Sequence, residues 1–288
     1  MIKKGIILAG GMGTRMSPLT KAVNKQLLPL YDKPLIYYPL SVLMLADVKN
    51  ILIIVNKGQL NQFRKILPEK NNFGVTIQYK EQDKPRGLPE AFILGEKFIG
   101  KDNVALILGD NFFYGQSLTK NLKHNSSFKN GAKIFLHQVK DPSLYGVAVL
   151  NKKNKISKIV EKPKKNISNM AITGLYFFDR NVVKFSRKLK PSKRNELEIT
   201  DLLKKYKNKN TLSYDFIGRG GTWLDTGNIR DYYNATNYIS AIENRQGLKI
   251  ACIEEIALKK RWIKKNNIIQ AIKFYGNCEY SNYLKNLI

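Results

Sequence analysis

An α/β fold, built on a Rossmann-like, mostly parallel sheet covered by helices, is predicted by three features of this 288-residue sequence. Short apolar runs alternate with stretches of helical periodicity, which is the rhythm of βα units. The runs are continuous rather than alternating, as in strands buried on both faces. The first of them, Ile6 to Ala9, breaks directly into a glycine-rich turn containing Gly10, Gly11 and Gly13.

The elements follow in order. After that opening strand, Pro18 and Pro29 prevent one long helix from forming. Pro34–Ala46 carries apolar residues at helical spacing, and so does Leu88–Phe98, with Pro89 tolerated in the first turn. Ile51–Val55, Val75–Tyr79, Val104–Leu108 and Ile134–Val139 read as sheet strands. Beyond residue 140 shorter strands (Val147–Leu150, Ile156–Glu161 and Ile172–Phe178) mix with loops and mark an inserted half. From Ile229 onward Tyr232, Tyr233, Ala235, Tyr238, Ile239 and Ile242 recur at helical spacing. The expected organisation is an α/β core over 1–228 and a helical region over 229–288 packed on it. No repeat or low-complexity linker interrupts it.

Composition narrows the classes. No apolar run reaches the length of a membrane span, since Pro39, Ser41 and Asp47 interrupt the longest candidate. The N-terminus opens into a strand without a signal pattern, and Cys252 and Cys278 have neither metal-ligand spacing nor a disulfide framework. A cytoplasmic protein without membrane contact is expected. The net charge of +28 raises the question of nucleic acid. The lysines, however, are dispersed among asparagines and isoleucines rather than gathered on one arm, which fits a solvated lysine-rich surface and no nucleic-acid role.

The glycine turn carries the chemistry. Missing Cβ atoms let a ligand approach backbone N–H groups, and Arg15 adds a cationic fork suited to phosphate oxygens. A Walker A loop would need Lys followed by Ser or Thr, where Arg15 and Met16 stand. A dinucleotide fingerprint fits in part, with Asp32 at the distance of its ribose-binding acid, but Met16 replaces the third glycine. A tight turn without ligand would also contain glycines; Arg15 and Lys25 close behind favour a nucleotide triphosphate.

Ligands of open α/β sheets lie beyond the carboxyl ends of the strands. Gly10, the Glu81–Gly87 stretch and Gly109-Asp110-Asn111 all fall there. Asp110, directly after a buried strand, is placed either to cap a helix or to hold a metal. A second acid, Asp225 in Trp223-Leu224-Asp225-Thr226-Gly227, tips the balance, because Mg²⁺ is commonly held by two carboxylates together with phosphate oxygens.

The run GIILAGGMGTRMSPLTKAVNKQLLPLYDKPLIYYPLSVLMLA resembles the opening of the sugar-1-phosphate nucleotidylyltransferases, in particular their glucose-1-phosphate thymidylyltransferase branch. The similarity continues through LILGDNFFYG, DPSLYGVAVL, EKP, ITGLYFFD, RNELEITDLL, WLDTG and ENRQGLKIAC, in order along essentially the whole chain. It implies a Mg²⁺-dependent enzyme that joins dTTP to glucose 1-phosphate, giving dTDP-glucose and pyrophosphate, the first step toward dTDP-rhamnose. By the same resemblance Arg15 lies over the leaving pyrophosphate, Lys25 near the triphosphate, and Lys162 and Arg194 on the sugar phosphate. Leu8, Gly10, Gly11, Gly13, Thr14, Gln82, Gly87 and Asp110 match nucleotide-binding positions. Gln82 can pair its amide with the imide edge of thymine or uracil. Tyr145, Gly146, Glu161, Lys162, Ile172 and Gly174 match the sugar pocket, although Glu161 could instead pair with Lys162 or another lysine. Asp110 and Asp225 would hold the metal.

The resemblance further implies a homotetramer with a second, regulatory nucleotide site near Tyr114, Gly115, Arg219, Lys249 and Cys252. Arg86, Pro89, Ile172 and the Gly220-Gly221-Thr222 turn depart from the branch's usual residues, and Arg86 could alter base or triphosphate contacts. Three functions are therefore weighed: thymidylyl transfer, the same chemistry with UTP or another sugar phosphate, and a catalytically silent nucleotide-sensing or nucleic-acid-binding relative.

Overall fold

The computed structural model describes residues 2–288. The chain runs through β1 (Lys4–Ala9), the short hairpin β2 (Pro29–Leu30) and β3 (Lys33–Pro34), α1 (Tyr37–Leu45), β4 (Asn50–Asn56), α2 (Leu60–Ile66) and β5 (Thr76–Gln82). Next come α3 (Glu90–Leu94), α4 (Glu96–Ile99), β6 (Val104–Leu108), β7 (Asn111–Gly115), α5 (Leu118–Ser126) and β8 (Ala132–Gln138). The second half contains β9 (Gly146–Leu150), β10 (Ile156–Glu161), β11 (Met170–Phe178), α6 (Val182–Arg187), α7 (Ile199–Asn208), β12 (Leu212–Phe216) and β13 (Gly221–Asp225). Four helices close the chain: α8 (Ile229–Gln246), α9 (Ile253–Lys259), α10 (Lys265–Tyr275) and α11 (Glu279–Lys285).

A nine-stranded sheet organises these elements in the order β10-β9-β11-β6-β1-β4-β5, with β8 also pairing β11 and β12. Around β1 the pairing is parallel, to β6 on one side and to β4 and then β5 on the other. Strand β11 joins the second half antiparallel to β6. This gives the expected α/β sheet, parallel where the glycine turn emerges and antiparallel beyond it.

Side-chain alternation explains why both faces are apolar. Ile7 and Ala9 of β1 enter one core cluster with α1 and the C-terminal helices, while Ile6 enters the other with α3 and α7. Helix α1 has no polar stripe, because the sheet covers it on one side and α9 packs on another; Tyr37 through Met44 are all buried. A third cluster joins Met16 and Phe112 to Tyr232, Ala235 and Ile239 of α8. That cluster anchors the far end of the glycine turn against the C-terminal region.

One expected helix is divided. Leu88–Phe98 forms the two short helices α3 and α4, which meet at Gly95. A Cβ on Gly95 would come 2.9 Å from the Ala91 carbonyl oxygen and 3.0 Å from Ile6 Cδ1, so close packing on the sheet fixes glycine at the break. Among the described residues no helix is long and apolar enough to cross a membrane.

Candidate functional site

The parallel strands end together, and the site begins at their ends. At Gly10, the first residue after β1, a Cβ would lie 2.0 Å from Gln82 Nε2, so the Gln82 amide occupies the space a side chain would fill. Gly13 has a left-handed φ of 59° and opens a 3₁₀ turn at Thr14–Met16. The Thr20 hydroxyl donates to the Gly13 carbonyl at 2.8 Å, and buried Met16 pins the turn to the third core cluster. Arg15 is left exposed beside Gly227, where a Cβ would meet its Nη2 at 2.9 Å.

Two acids face this turn. Asp110 follows β6, and Asp225 ends β13, which pairs antiparallel with β7 so that Asp225 stands opposite Asn111. Lys25 Nζ donates to Asp110 Oδ2 at 2.8 Å, and Asn111 Nδ2 donates to Oδ1 at 2.9 Å. Burial works against the Asp110 charge, but Lys25 and these hydrogen bonds outweigh it and hold the carboxyl below its ordinary range. Burial, and then the charge of Asp110, pushes Asp225 up to about 7 against the pull of Lys25 and Arg15. A shortage of positive charge at two all-oxygen donors suits a small hard cation such as Mg²⁺, which needs few protein ligands. No cluster of three or more acidic, His or Cys side chains able to hold a metal occurs among the described residues.

The second half contributes the opposite wall. Glu161 ends β10, and Lys162 follows with a left-handed φ of 43°, its N–H donating to the Tyr145 carbonyl at 3.0 Å. Arg194 donates to Glu198 at 2.7 Å and to Glu161 at 3.3 Å, so the ion-pair partner of Glu161 is an arginine rather than the lysine weighed above. Burial and the neighbouring Glu198 raise the Glu161 carboxyl, against the pull of Arg194 and Lys162. In β11 the pairing with β8 is irregular between Ile172 and Tyr176. Gly174 lies there, where a Cβ would come within 2.3 Å of Asn111 Oδ1.

These walls enclose a cavity of about 400 Å³. Leu8, Gln82, Gly87, Tyr145, Gly146, Glu161, Lys162, Ile172, Gly174, Arg194 and Asp225 line it, together with Gly10, Gly11 and Arg15. The last three also line an adjoining hollow of about 230 Å³ with Gly13, Thr14, Lys25 and Asp110. Every residue assigned from the sequence to nucleotide, sugar phosphate, metal or catalysis therefore lines one of two contiguous spaces.

The residues of the expected regulatory site lie outside both spaces. Tyr114 and Gly115 border an apolar cavity beside α5, and Arg219 borders an adjoining surface groove that shares Ile217, Gly218 and Gly221 with it. Lys249 is ion-paired to Asp32 at 2.6 Å and to Glu243 at 3.0 Å, and Cys252 is buried beneath Tyr280. Asp32 thus sits outside both spaces, and two short 3₁₀ turns, at Thr14–Met16 and Lys25–Leu27, replace the long helix a dinucleotide fingerprint requires. Arg86 lines neither space; its guanidinium lies 3.8 Å from Glu90 and its carbonyl accepts from the Leu197 N–H.

Sequence reasoning passed over Asn111, Trp223, Glu198 and Thr200. The Asn111 Oδ1 accepts from Trp223 Nε1 at 2.6 Å and from the Gly174 N–H at 3.0 Å, which ties both halves of the cavity to Asp110. Trp223 packs edge-on against Tyr145. The Thr200 hydroxyl is buried at the cavity wall beside the Glu161 carboxyl. Their one sequence signal is residence inside motifs already singled out, LILGDNFFYG, RNELEITDLL and WLDTG.

Comparison with known proteins shows the family. The Nucleotidyl transferase family model matches residues 4–241. A glucose-1-phosphate thymidylyltransferase of Neisseria meningitidis is 47% identical over 99% of each chain. One of Mycobacterium tuberculosis is 42% identical, again over 99% of each. A Bacillus anthracis protein crystallised with sucrose, and provisionally named a glucose-1-phosphate thymidylyltransferase, superposes with a TM-score of 0.76 at 39% identity, covering 82% of this chain and 94% of that one. A UDP-glucose pyrophosphorylase solved with UDP-glucose gives a TM-score of 0.72 at 27% identity, over 84% of this chain and 100% of that one.

Proposed function

We propose that this chain, which belongs to the nucleotidyl transferase family, transfers a thymidylyl group from dTTP to glucose 1-phosphate. The observation that carries the proposal is the undivided cavity, with the glycine turn and Gln82 at one end and Glu161, Lys162 and Arg194 at the other. Relatives aligned over 99% of the chain are named for this reaction, which supports the choice of base and sugar.

In the reaction an oxygen of the sugar phosphate attacks the α-phosphorus, the new O–P bond forms, and the bond to the β-phosphate breaks as pyrophosphate leaves. The nucleophile is already an anion, so no general base is required. The barrier lies in bringing two polyanions into line and stabilising the charge that develops. Lys162 and Arg194 hold the sugar phosphate, and Arg15 with the glycine-turn N–H groups receives the departing pyrophosphate. Arg194 has to loosen its hold on Glu161 to do so, which leaves Glu161 free to accept from sugar hydroxyls. Lys25 keeps Asp110 ionised. Asp110 and Asp225 would hold Mg²⁺, which supplies Lewis acidity and a template for the phosphate oxygens when bound.

Residues 1–228 would carry this chemistry, with 229–288 bracing α1 and the glycine turn. The substrates fit a cytoplasmic role supplying dTDP-glucose toward dTDP-rhamnose. A homotetramer with a regulatory nucleotide site near Tyr114, Gly115 and Arg219, which border adjoining hollows, belongs to the same proposal.

UTP is the second substrate to test, because thymine and uracil differ by one methyl group, worth about 1 kcal/mol of burial. The test is pyrophosphate release with Mg²⁺, glucose 1-phosphate and each of dTTP, UTP, CTP, ATP and GTP in turn. Release with dTTP exceeding that with UTP supports the proposal. Release with another nucleotide alone would replace the specificity, and silence with every triphosphate and sugar 1-phosphate would favour a non-catalytic relative.

A further inference from the structure

Strand β4 lies between β1 and β5, and its last residue, Asn56, stands in register beside Gln82 on β5. On its other side is the start of the glycine turn. The Gly11 N–H donates to Asn56 Oδ1 at 3.2 Å, and Asn56 Nδ2 donates to the Gly11 carbonyl at 3.1 Å. This two-point bond fixes which end of the Asn56 amide is oxygen, because a backbone N–H can only donate and a backbone carbonyl can only accept.

The consequence passes to Gln82. Asn56 Oδ1 faces the Gln82 amide, with Gln82 Nε2 donating to it at 3.4 Å. An acceptor there admits only the NH₂ end of Gln82. The orientation of the Gln82 amide is thereby set by the backbone of the glycine turn, relayed through one asparagine. Gln82 then offers the cavity Oε1 as acceptor and its second Nε2 hydrogen as donor.

We propose that Asn56 is a positioning residue for base selection, holding Gln82 in the orientation that accepts an imide N–H and donates to an adjacent base carbonyl. Thymine and uracil present that pattern. Cytosine presents the reverse, a bare ring nitrogen beside an amino group, and meets donor with donor and acceptor with acceptor. The inference rests on the reading of the Gln82 end of the cavity as the base pocket. It adds the element that makes an otherwise reversible amide selective, since a free glutamine can turn over to suit either base.

The experiment compares kcat/KM for dTTP and dCTP, at saturating glucose 1-phosphate, in the parent protein, Asn56→Ala and Asn56→Asp. The parent is expected to favour dTTP by at least about 100-fold, since a mismatched edge leaves buried polar groups unpaired. Asn56→Ala frees Gln82 to turn and should lower that ratio at least tenfold, with dCTP use rising relative to dTTP. Asn56→Asp keeps an acceptor toward Gln82 while losing the donor to Gly11, so its ratio should stay near the parent's although activity with both nucleotides falls. A merely structural role would lower both nucleotides equally in Asn56→Ala and leave the ratio intact, which would overturn the proposal. Should Asn56→Ala fail to fold, Asn56→Ser, whose hydroxyl is too short to span Gly11 and Gln82, gives the same comparison. A parent protein that uses dTTP and dCTP equally would instead overturn the base-pocket reading itself.

Discussion

Replacing Lys25 by methionine removes the ammonium that bonds Asp110 among the described residues, while nearly preserving the volume of the side chain. Lys25 is 5% exposed and the pair is 2.8 Å apart. At an effective dielectric constant of about 20, the attraction is about 6 kcal/mol. The cost of taking both charges out of water offsets roughly half of it, and Asp110 keeps 23% of its side chain exposed, so Lys25→Met should destabilise by about 3 kcal/mol. For a chain of this size that corresponds to a melting temperature lower by about 6 °C. The loss comes mainly from an uncompensated carboxylate, so adding Asp110→Asn to Lys25→Met should return about 2 kcal/mol. The assay is urea unfolding of the parent, both single variants and the double variant, followed by Trp fluorescence. If Asp110 holds the metal as proposed, Mg²⁺ should also raise the melting temperature of Lys25→Met more than that of the parent, because no ammonium then competes with it for the carboxylate. Strictly additive variants, or a loss below about 0.5 kcal/mol for Lys25→Met, would refute the reasoning.

Further expectations concern separate parts of the molecule. Gly10→Ala places a methyl against the Gln82 amide, so the KM for nucleotide should rise at least tenfold while the KM for sugar phosphate changes little in steady-state kinetics. Trp223→Phe leaves the buried Asn111 Oδ1 short of its 2.6 Å donor and should cost about 1–3 kcal/mol in denaturant unfolding. Glu254 is fully buried, accepts from Tyr275 and Tyr280 at 2.6 Å, and is held above the ordinary carboxylate range chiefly by burial. The folded state therefore binds a proton that the unfolded state releases, and stability should fall as pH rises from the ordinary carboxylate range through the raised value. In Glu254→Gln that part of the slope should vanish from melting curves taken across pH. Lys162→Ala should raise the requirement for sugar phosphate more than for dTTP; equal losses would refute a clamp on the sugar side.

The parallel half of the sheet was legible because its strands are short, continuous and bounded by glycine or charge. Val104–Leu108 forms a strand with the bounds its apolar pattern suggests, and Ile51–Val55 lies within β4. The break between α3 and α4 was not legible, because periodicity continues through Gly95 and only contact with Ile6 shows why the helix stops. In the site, local motifs pointed to Gly10, Arg15 and Asp110 one at a time. What the motifs could not show is how distant segments meet. Asp225 reaches Asp110 only because β13 pairs with β7, a register no local pattern encodes. Asn56 escaped notice for a similar reason, since an asparagine ending a strand looks like an ordinary turn residue until two neighbours are seen to share its amide.

The central claim is that two anionic substrates meet directly in one undivided cavity, with no side chain acting as an intermediate nucleophile. The stereochemical course at the α-phosphorus tests this most directly. With dTTP carrying a single sulfur of known configuration on the α-phosphate, one in-line displacement by glucose 1-phosphate predicts dTDP-glucose with inverted configuration at that phosphorus. Retention would require two displacements through a covalent nucleotidyl-protein intermediate, and would contradict the account.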